Sequence, residues 1–194
     1  MSELNISKKP SPFSTKIKIK RVLWALTYAI LFRPTPNPAH KWRVFLLNAF
    51  GAKISTKARI SQKAQITMPW HLEMEDYATL GPYAICYSTA HIKICKQATV
   101  SQYSYLCSAT HDFEDAHFTL YAEPITIEAN AWVAADVYVG PGVTIGEGTV
   151  VGARSSVYKS LPAWKVCVGN PARSIKDRTI TKDKSNEKNP LSSI

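Results

Sequence analysis

Histidine is the side chain best suited to do chemistry in this sequence, and most of its copies lie in the middle third of the chain. The five histidines are His40, His71, His91, His111 and His117. An unperturbed imidazole has a pKa of about 6.5, so near neutral pH it can accept a proton or bind a metal ion. His40 lies among residues with a helical pattern and is interpreted as structural. The other four are candidates for a general base or for metal ligands.

A repeat of six residues must position these side chains. From Ile127 to Val157 an aliphatic residue returns at every sixth position, a period that neither an α-helix nor a plain β-strand has. A six-residue rung forms one short parallel strand and a corner, and three rungs complete one coil of a triangular β-helix, so the predicted fold class is all-β. Glycines are expected to supply corner conformations that a Cβ would obstruct. These glycines are Gly140, Gly142, Gly146, Gly148 and Gly152.

The same period can be followed back to Ile54, which gives fifteen rungs, or about five coils, before the chain leaves the β-helix after Val157. The predicted rung residues are Ile54, Ile60, Ile66, Met74, Leu80, Cys86, Ile94, Val100, Leu106, Ile127, Val133, Val139, Ile145, Val151 and Val157. The spacing is two residues too long after Ile66 and after Cys86, and fifteen residues too long after Leu106.

Each of these three insertions follows the third rung of a coil, so all of them should leave the same corner of the β-helix. This corner is predicted to gather residues 70–71, residues 88–91 and a projecting loop at 107–126. Because the four candidate histidines lie in these segments, the corner is interpreted as the wall of an active site.

The head of the chain is both basic and apolar. Of the net charge of +10, the first 33 residues contribute seven lysines and arginines against Glu3 alone. Residues 16–32 and 39–50 are predicted to form two helices, separated by three prolines. The first helix could lie on an anionic membrane surface through residues 16–33, with Trp24 and Tyr28 at headgroup level, or it could cap the open end of the β-helix. Its apolar run, Val22–Phe32, is too short to span a bilayer.

Composition limits the function classes. The chain has 194 residues, of which 45% are hydrophobic and 20% charged, which suits one domain with a sizeable core. The four cysteines show no paired spacing and no signal peptide precedes them, so a cytoplasmic protein with reduced thiols is predicted. No nucleic-acid-binding motif accompanies the positive charge, so nucleic acid is not an expected partner.

Over residues 54–176 the chain resembles the hexapeptide-repeat acetyltransferases, in the six-residue repeat and in the segment Ser108-Ala109-Thr110-His111-Asp112 that opens the long insertion. The N-terminal segment FRPTPNP at residues 32–38, followed by the helix with Trp42, is most similar to the colanic-acid and exopolysaccharide branch. The resemblance implies a left-handed β-helix, a homotrimer and acetyl-CoA as donor cosubstrate. It also implies that His111 is catalytic, as a general base that takes the proton of an acceptor hydroxyl.

No metal is expected. The related γ-type carbonic anhydrases bind zinc with three histidines on this fold, but their last two ligands are spaced differently from His111 and His117.

The resemblance also implies where the donor binds. In the family the pantetheine arm lies in a groove between adjacent β-helices, and the adenosine 3′-phosphate meets basic residues beyond the last coil. The matching residues here are Trp132, Ala135 and Ala153 for the groove, and Lys159, Arg173 and Lys176 for the phosphate. An alanine suits the groove because a backbone that hydrogen-bonds the pantetheine amides cannot carry bulk in front of it.

The implied domain organisation has four parts. Residues 1–53 form a basic lead and two helices, 54–158 the β-helix with its loop, 159–176 a segment that contacts CoA, and 177–194 a flexible tail.

Acceptor-binding residues are expected at the insertion corner, and they are Ser88, Thr89, His91 and Asp112. The galactoside branch of the family carries acidic residues where Ser88 and Thr89 stand, so galactoside is not the expected acceptor. The expected function is O-acetylation of a saccharide in surface polysaccharide biosynthesis, in the cytoplasm or at the inner face of its membrane. Acetylation of an amino sugar or an antibiotic stays open, as does a non-catalytic trimeric scaffold, since fold alone does not establish function.

Overall fold

The computed structural model describes residues 12–180, in which two helices precede a column of short parallel strands. Helix α1 is Thr15–Thr27 and continues into a π-helical turn, Tyr28–Phe32. Helix α2 is His40–Ala49, and a 3-10 turn, Pro69–His71, lies in the first insertion. Both predicted helices are confirmed. Residues 1–11 of the predicted lead and 181–194 of the predicted tail lie outside the described residues.

The strands form three faces of a triangular column. Face 1 consists of β1 (Lys53–Ile54), β4 (Leu72–Met74), β7 (Ile92–Ile94), β12 (Ile125–Ile127) and β15 (Thr144–Ile145). Face 2 consists of β2 (Arg59–Ile60), β5 (Thr79–Leu80), β8 (Thr99–Val100), β13 (Trp132–Val133), β16 (Val150–Val151), β18 (Lys165–Gly169) and β19 (Ala172–Asp177). Face 3 consists of β3 (Gln65–Ile66), β6 (Ile85–Tyr87), β9 (Tyr105–Cys107), β14 (Tyr138–Val139) and β17 (Ser156–Val157). A separate hairpin is formed by β10 (Ala109–His111) and β11 (Leu120–Ala122).

The predicted register is confirmed on all three faces. On face 1, for example, Ile54 pairs with Met74, Met74 with Ile94, and Ile94 with Ile127. Parallel pairing of this kind brings each rung aliphatic above the one a coil below, and every one of these residues is buried. The apolar column they form is the core of the domain and fixes the height of each corner.

All three insertions leave the corner between faces 3 and 1, as predicted, and this is named the insertion corner. Two further rungs follow the five predicted coils: Leu161 bridges to Ile145, and Cys167 pairs with Val151. The chain therefore does not leave the β-helix after Val157. The six-residue period conceals this sixth, partial coil because Leu161 follows Val157 by four residues instead of six.

Corner conformation depends less on glycine than the sequence predicts. Only Gly142 and Gly148 of the five glycines have positive φ, whereas most corner residues with positive φ carry side chains, such as Tyr77 and Asn130. At Gly146 packing excludes a side chain, since a Cβ there would lie 2.5 Å from the backbone nitrogen of Ala163 in the next coil.

Helix α1 caps the open end of the β-helix. Trp24 is 3% exposed, and its Nε1 donates to the carbonyl of Ile66 at 2.7 Å. The hydroxyl of Tyr28 donates to the carbonyl of Ala64 at 3.1 Å, and Phe32 is fully buried. The expectation that Trp24 and Tyr28 lie at lipid headgroup level is therefore wrong, because their polar atoms satisfy carbonyl groups at the end of the column. No helix within residues 12–180 is long and apolar enough to cross a membrane.

Arg43 of α2 fastens the proline-rich connection to the first coil. Its side chain is 2% exposed, and burial lowers the pKa of its guanidinium. Nε donates to the carbonyl of Ile60 at 2.8 Å, and the terminal nitrogens donate to the carbonyls of Pro36 and Asn37 at 2.9 Å and to the hydroxyl of Thr35 at 3.0 Å.

Replacing Arg43 with methionine should destabilise the fold because the buried carbonyl of Ile60 loses its side-chain donor and the proline-rich connection loses three partly buried hydrogen bonds. A buried unsatisfied group costs about 1–3 kcal/mol and a lost hydrogen bond about 0.5–1.5 kcal/mol, so we expect a loss of about 3 kcal/mol in the free energy of unfolding. Arg59→Met, at an exposed arginine on β2, is the matched control. Thermal unfolding followed by circular dichroism measures both, and equal melting temperatures would contradict the role given to Arg43.

Candidate active site

His111 lies on a hairpin at the insertion corner, directly after the third strand of face 3. Strands β10 and β11 pair antiparallel, with His111 opposite Leu120. The backbone N–H of Asp112 extends this ladder by donating to the carbonyl of Thr119 at 2.9 Å. The loop predicted at 107–126 is therefore a hydrogen-bonded support, which fixes the backbone of His111 relative to the column.

One residue of the hairpin, Phe118, orients the His111 ring. Nδ1 of His111 lies 2.8 Å from the carbonyl oxygen of Phe118. A carbonyl can only accept, so the proton is assigned to Nδ1, which puts the imidazole lone pair on Nε2. The Phe118 ring also stacks on the imidazole, with centroids 4.6 Å apart and planes 11° from parallel. Tautomer and ring plane are both set by one neighbour.

Asp115 holds the turn that carries Phe118, and sequence reasoning missed it. Its carboxylate accepts the backbone N–H of His117 at 3.0 Å and of Thr119 at 3.2 Å, and its carbonyl accepts that of Phe118 at 2.8 Å. The N–H donors lower the pKa of the Asp115 carboxyl, so it is ionised at neutral pH. The available signal was the residue type, because an aspartate side chain often closes a turn by accepting the backbone N–H of the residue two positions later.

Replacing Asp115 with alanine should slow acetyl transfer by roughly tenfold to a hundredfold, the cost of a displacement of about 1 Å in a catalytic group. Donor binding should change little, because the Asp115 carboxylate holds the turn that carries Phe118 and does not act on the donor. Glu114→Ala, one residue away on the same exposed turn, is the matched control. Steady-state kinetics on both variants give the comparison, and equal rates would show that the turn does not position His111.

The three insertions touch one another as predicted. Nδ1 of His71, in the first insertion, lies 2.9 Å from the carbonyl oxygen of Ser88 in the second. The hydroxyl of Ser108, in the third, accepts the backbone N–H of Ala90 at 2.9 Å. The insertion corner is thus one continuous surface built from segments far apart in the sequence.

Two of the predicted acceptor residues lie inside this corner. Ser88 is fully buried, and its hydroxyl accepts the N–H of Met68 and donates to the Met68 carbonyl. The predicted contact between the Ser88 hydroxyl and a saccharide is therefore wrong, because that hydroxyl is buried and links the first two insertions. The hydroxyl oxygen of Thr89 is also buried, but no group in the described part of the chain bonds to it.

The other two predicted acceptor residues are exposed. Nε2 of His91 lies 3.5 Å from a carboxylate oxygen of Glu73. Asp112 accepts the N–H of Glu114 at 3.0 Å through one carboxylate oxygen. The histidines do not assemble a metal centre here: among residues 12–180, no three His, Cys, Asp or Glu side chains are placed to hold an ion.

Most predicted donor residues lie on face 2 and at the corner between faces 2 and 3, named the alanine corner after Ala135 and Ala153. Trp132 is 47% exposed on face 2, and its Nε1 donates to the hydroxyl of Ser101 at 2.9 Å. Ala153 is exposed, and no hydrogen bond within residues 12–180 uses its backbone N–H or carbonyl. Arg173 lies on β19, next to this corner.

The three basic residues that are predicted to hold the 3′-phosphate do not lie together in one chain. Arg173 and Lys176 are exposed on β19, at the edge of face 2. Lys159 follows β17 at the insertion corner, where its neighbour Ser160 accepts the N–H of Thr144. His111 and Ala153 are separated in the same way, with face 3 between them. The predicted base and most of the predicted donor residues of one chain therefore lie at two different corners, the insertion corner and the alanine corner, which are called the two half-sites.

Comparison with known proteins identifies the family to which this chain belongs. Residues 124–159 match the family described as "Bacterial transferase hexapeptide (six repeats)". Over 181 residues, 93% of this chain and the whole of the relative, the sequence is 46% identical to the "Putative colanic acid biosynthesis acetyltransferase WcaF" of Escherichia coli strain K12. The chain belongs to the hexapeptide-repeat acetyltransferases. An identity of this size over nearly the full length includes the N-terminal helices as well as the repeat.

Solved structures of the family share the fold at lower identity. A hexapeptide-repeat acetyltransferase of Vibrio cholerae O1 biovar eltor, solved with acetyl-CoA, superposes with a TM-score of 0.78 at 21% identity, over 93% of this chain and all of that one. A galactoside acetyltransferase in complex with coenzyme A gives 0.76 at 23% identity, over 87% of this chain and 86% of that one. The parallel β-helix predicted from the repeat is therefore the fold of known acetyltransferases.

Proposed function

We propose that the protein transfers an acetyl group from acetyl-CoA to a hydroxyl group of a saccharide, with His111 as the general base. The observation that carries this is the Nδ1 contact of His111 with the Phe118 carbonyl, which leaves Nε2 as the basic nitrogen. A base held in one tautomer can take the acceptor proton without first reorganising. As the acceptor oxygen loses its proton to Nε2, it becomes a stronger nucleophile.

The alanine corner suits the donor. Acetyl-CoA supplies the thioester carbonyl that the acceptor oxygen attacks, so an acetate ester and the free CoA thiol are the products. The backbone groups of Ala153, which no hydrogen bond in the described part of the chain uses, can pair with amide groups of a pantetheine arm, and the small side chain leaves them accessible. The exposed indole of Trp132 offers a flat apolar surface alongside.

The insertion corner suits a polar acceptor. Thr89 contributes a buried hydroxyl that no described group satisfies, and buried hydroxyl groups usually have a partner. His91 and Asp112 add exposed polar atoms on either side of the hairpin. The name of the curated relative refers to colanic acid, a surface polysaccharide, and that of the solved neighbour to a galactoside. Both names support a saccharide acceptor, and the first also supports a role in polysaccharide biosynthesis. The proposed place of the reaction is the cytoplasm, where acetyl-CoA is made.

A homotrimer would complete the site. Because the insertion corner and the alanine corner lie at opposite edges of face 3, a single chain cannot present His111 to a donor held at Ala153. In a ring of three copies related by rotation, the insertion corner of each copy can meet the alanine corner of the next. Lys159 of one copy and Arg173 of its neighbour would then approach the same phosphate.

Turnover of acetyl-CoA, followed by release of the free thiol, tests the reaction. Hydroxyl-bearing saccharides should support it, and amine acceptors should not. Turnover only with amines would replace the proposal by N-acetylation, and no turnover with any acceptor would favour a scaffold. A mass-spectrometric comparison of the cell's polysaccharide with and without the protein should show a loss of acetyl groups in its absence.

Lys159 and Arg173 should set the preference for a donor that bears the 3′-phosphate. A charge-assisted contact is worth about 1.5–3 kcal/mol, so each alanine variant should lose roughly a tenfold to hundredfold preference for acetyl-CoA over acetyl-dephospho-CoA. Lys53→Ala, at an exposed lysine on the first strand of the column, is the control. Unchanged discrimination in the Lys159 and Arg173 variants would remove these residues from the donor site.

A further inference from the structure

Helix α1 and its π-helical turn carry two apolar stripes on opposite sides. The inner stripe, with Trp24 and Phe32, packs on the column. The outer stripe faces away from it, and at about 100° per residue its centre lies on the far side of the helix from Trp24. The residues of the outer stripe are Ile19, Val22, Leu23, Leu26, Ile30 and Leu31, which are between 46% and 67% exposed.

Helix α2 extends this outer stripe. Nε1 of Trp42 donates to the carbonyl of Leu31 at 3.0 Å, which places its ring beside the end of the stripe. Trp42 and Phe45 stack with their centroids 5.5 Å apart, and they are 42% and 59% exposed. An apolar surface of this extent is more than the scattered exposed residues of an ordinary protein surface.

Positive charge surrounds the same surface. Between residues 13 and 50 the chain has seven lysines and arginines, of which only Arg43 is buried, and no aspartate or glutamate. A cleft of about 1010 Å³ opens between α1 and the first coil, and Lys18, Arg21, Arg33 and Lys63 line it. Within residues 12–180 none of these four cations is in a salt bridge. Val22 lines the cleft and also belongs to the outer stripe, so the charged and apolar parts are continuous.

We propose that this surface docks on a bilayer that contains anionic phospholipids. The outer stripe would lie at the level of the first acyl carbons, and the cations of the cleft would bind lipid phosphate groups. An apolar helix face flanked by Lys and Arg is the pattern of helices that lie in the membrane interface, and each basic residue near an anionic surface adds to the attraction. Because the inner stripe packs α1 against the column, docking of α1 on a bilayer would bring the whole protein to the membrane surface.

Charge decides between a bilayer and a second copy of the chain. Two copies paired through this surface would bring two sets of positive charges together with no carboxylate between them, which is unfavourable. An anionic lipid surface supplies the missing negative charge. The proposal is independent of the acetyl-transfer reaction, since no residue of either half-site belongs to this surface.

Co-sedimentation of the full chain with vesicles tests the docking surface. Vesicles of phosphatidylcholine with phosphatidylglycerol should bind the protein at least tenfold more strongly than vesicles of phosphatidylcholine alone. Lys18→Gln/Arg21→Gln, which removes two cleft cations, should weaken that binding by roughly tenfold to thirtyfold. Leu23→Ser/Leu26→Ser, on the outer stripe, should weaken it at least tenfold, because apolar burial in the interface is lost.

Two matched controls make the same substitutions at other exposed places. Lys53→Gln/Lys96→Gln removes two cations of the column, and Ile175→Ser/Ile180→Ser removes two apolar side chains beyond its other end. Both should bind anionic vesicles like the wild type, and so should His111→Ala. Melting temperatures within a few degrees of wild type would show that the surface variants are folded.

Three results would overturn the proposal. The first is equal binding of wild type to the two kinds of vesicle, and the second is an equal loss in the control variants. The third is a sedimentation experiment without lipid in which the Leu23→Ser/Leu26→Ser variant loses an association between assemblies that the wild type has, since the stripe would then join copies of the protein. Because His111→Ala retains vesicle binding, failure of the membrane proposal and failure of the reaction can be told apart.

Discussion

His111→Ala is expected to slow acetyl transfer by about 10²–10⁴-fold, the usual contribution of a positioned general base. Without the imidazole, the acceptor proton must pass to water while the oxygen attacks, so the chemical step carries the loss. Acetyl-CoA binding should stay close to wild type, because the imidazole acts on the acceptor proton and other residues hold the donor. Single-turnover rates and donor affinity, measured on the same preparation, separate the two effects.

The hairpin itself supplies the controls for His111. His117→Ala removes an exposed imidazole six positions further along the same hairpin, and it should leave the rate nearly unchanged. His111→Asn keeps an amide that can donate toward the Phe118 carbonyl, so it should hold the hairpin better while losing the base. Near-normal turnover in either His111 variant would remove this residue from the mechanism. An equal loss of rate and of donor binding would indicate misfolding instead.

The sequence predicts the column well because its period has one physical cause. A rung aliphatic such as Val133 must lie above Val100 and below Val151 to be buried, and only a six-residue rung achieves this three times per coil. Even the weak rungs Met74 and Cys86 keep the register, since an apolar side chain at that height is all that the core requires. The same register places the insertions, and hence the surroundings of His111, at one corner.

Prediction is poorer where two segments meet outside the repeat. Nothing in the local sequence of Ser88 reveals that its hydroxyl links to Met68, because that contact depends on the lengths of two separate insertions. Trp24 was equally consistent with a lipid interface, since an indole N–H can find its acceptor in headgroups or in the carbonyl of Ile66. Asp115 is visible only once the turn that it holds is known.

The separation of the two half-sites cannot be predicted from residue types, but it follows from the register that the six-residue period predicts. Ala153 follows a rung of face 2 and His111 follows a rung of face 3, so the two residues lie at opposite edges of face 3. A mechanism within one chain would require a donor to reach across that whole face. The geometry instead predicts that each site takes its base from one subunit and its donor groove from the next.

Mixed trimers of two inactive variants should therefore recover activity. Ala153→Trp fills the donor groove and His111→Ala removes the base, so each homotrimer should be almost inactive. In a mixed trimer, a site between a chain with intact His111 and a neighbour with intact Ala153 has no defect. Random assembly from equal amounts makes about a quarter of all sites intact, and every mixed trimer has one intact site of its three, so purified mixed trimers should show about a third of wild-type activity.

Recovery of this size can arise only if the site is shared. Were base and groove in the same chain, every site of a mixed trimer would carry one defect and activity would stay near that of the homotrimers. Co-expression with two different affinity tags, followed by purification on both, isolates the mixed trimers. Ala135→Trp in place of Ala153→Trp repeats the experiment at a second position of the alanine corner. No recovery in verified mixed trimers, or full activity at a monomer's sedimentation mass, would contradict the shared site, because either result requires one chain to hold donor and base together.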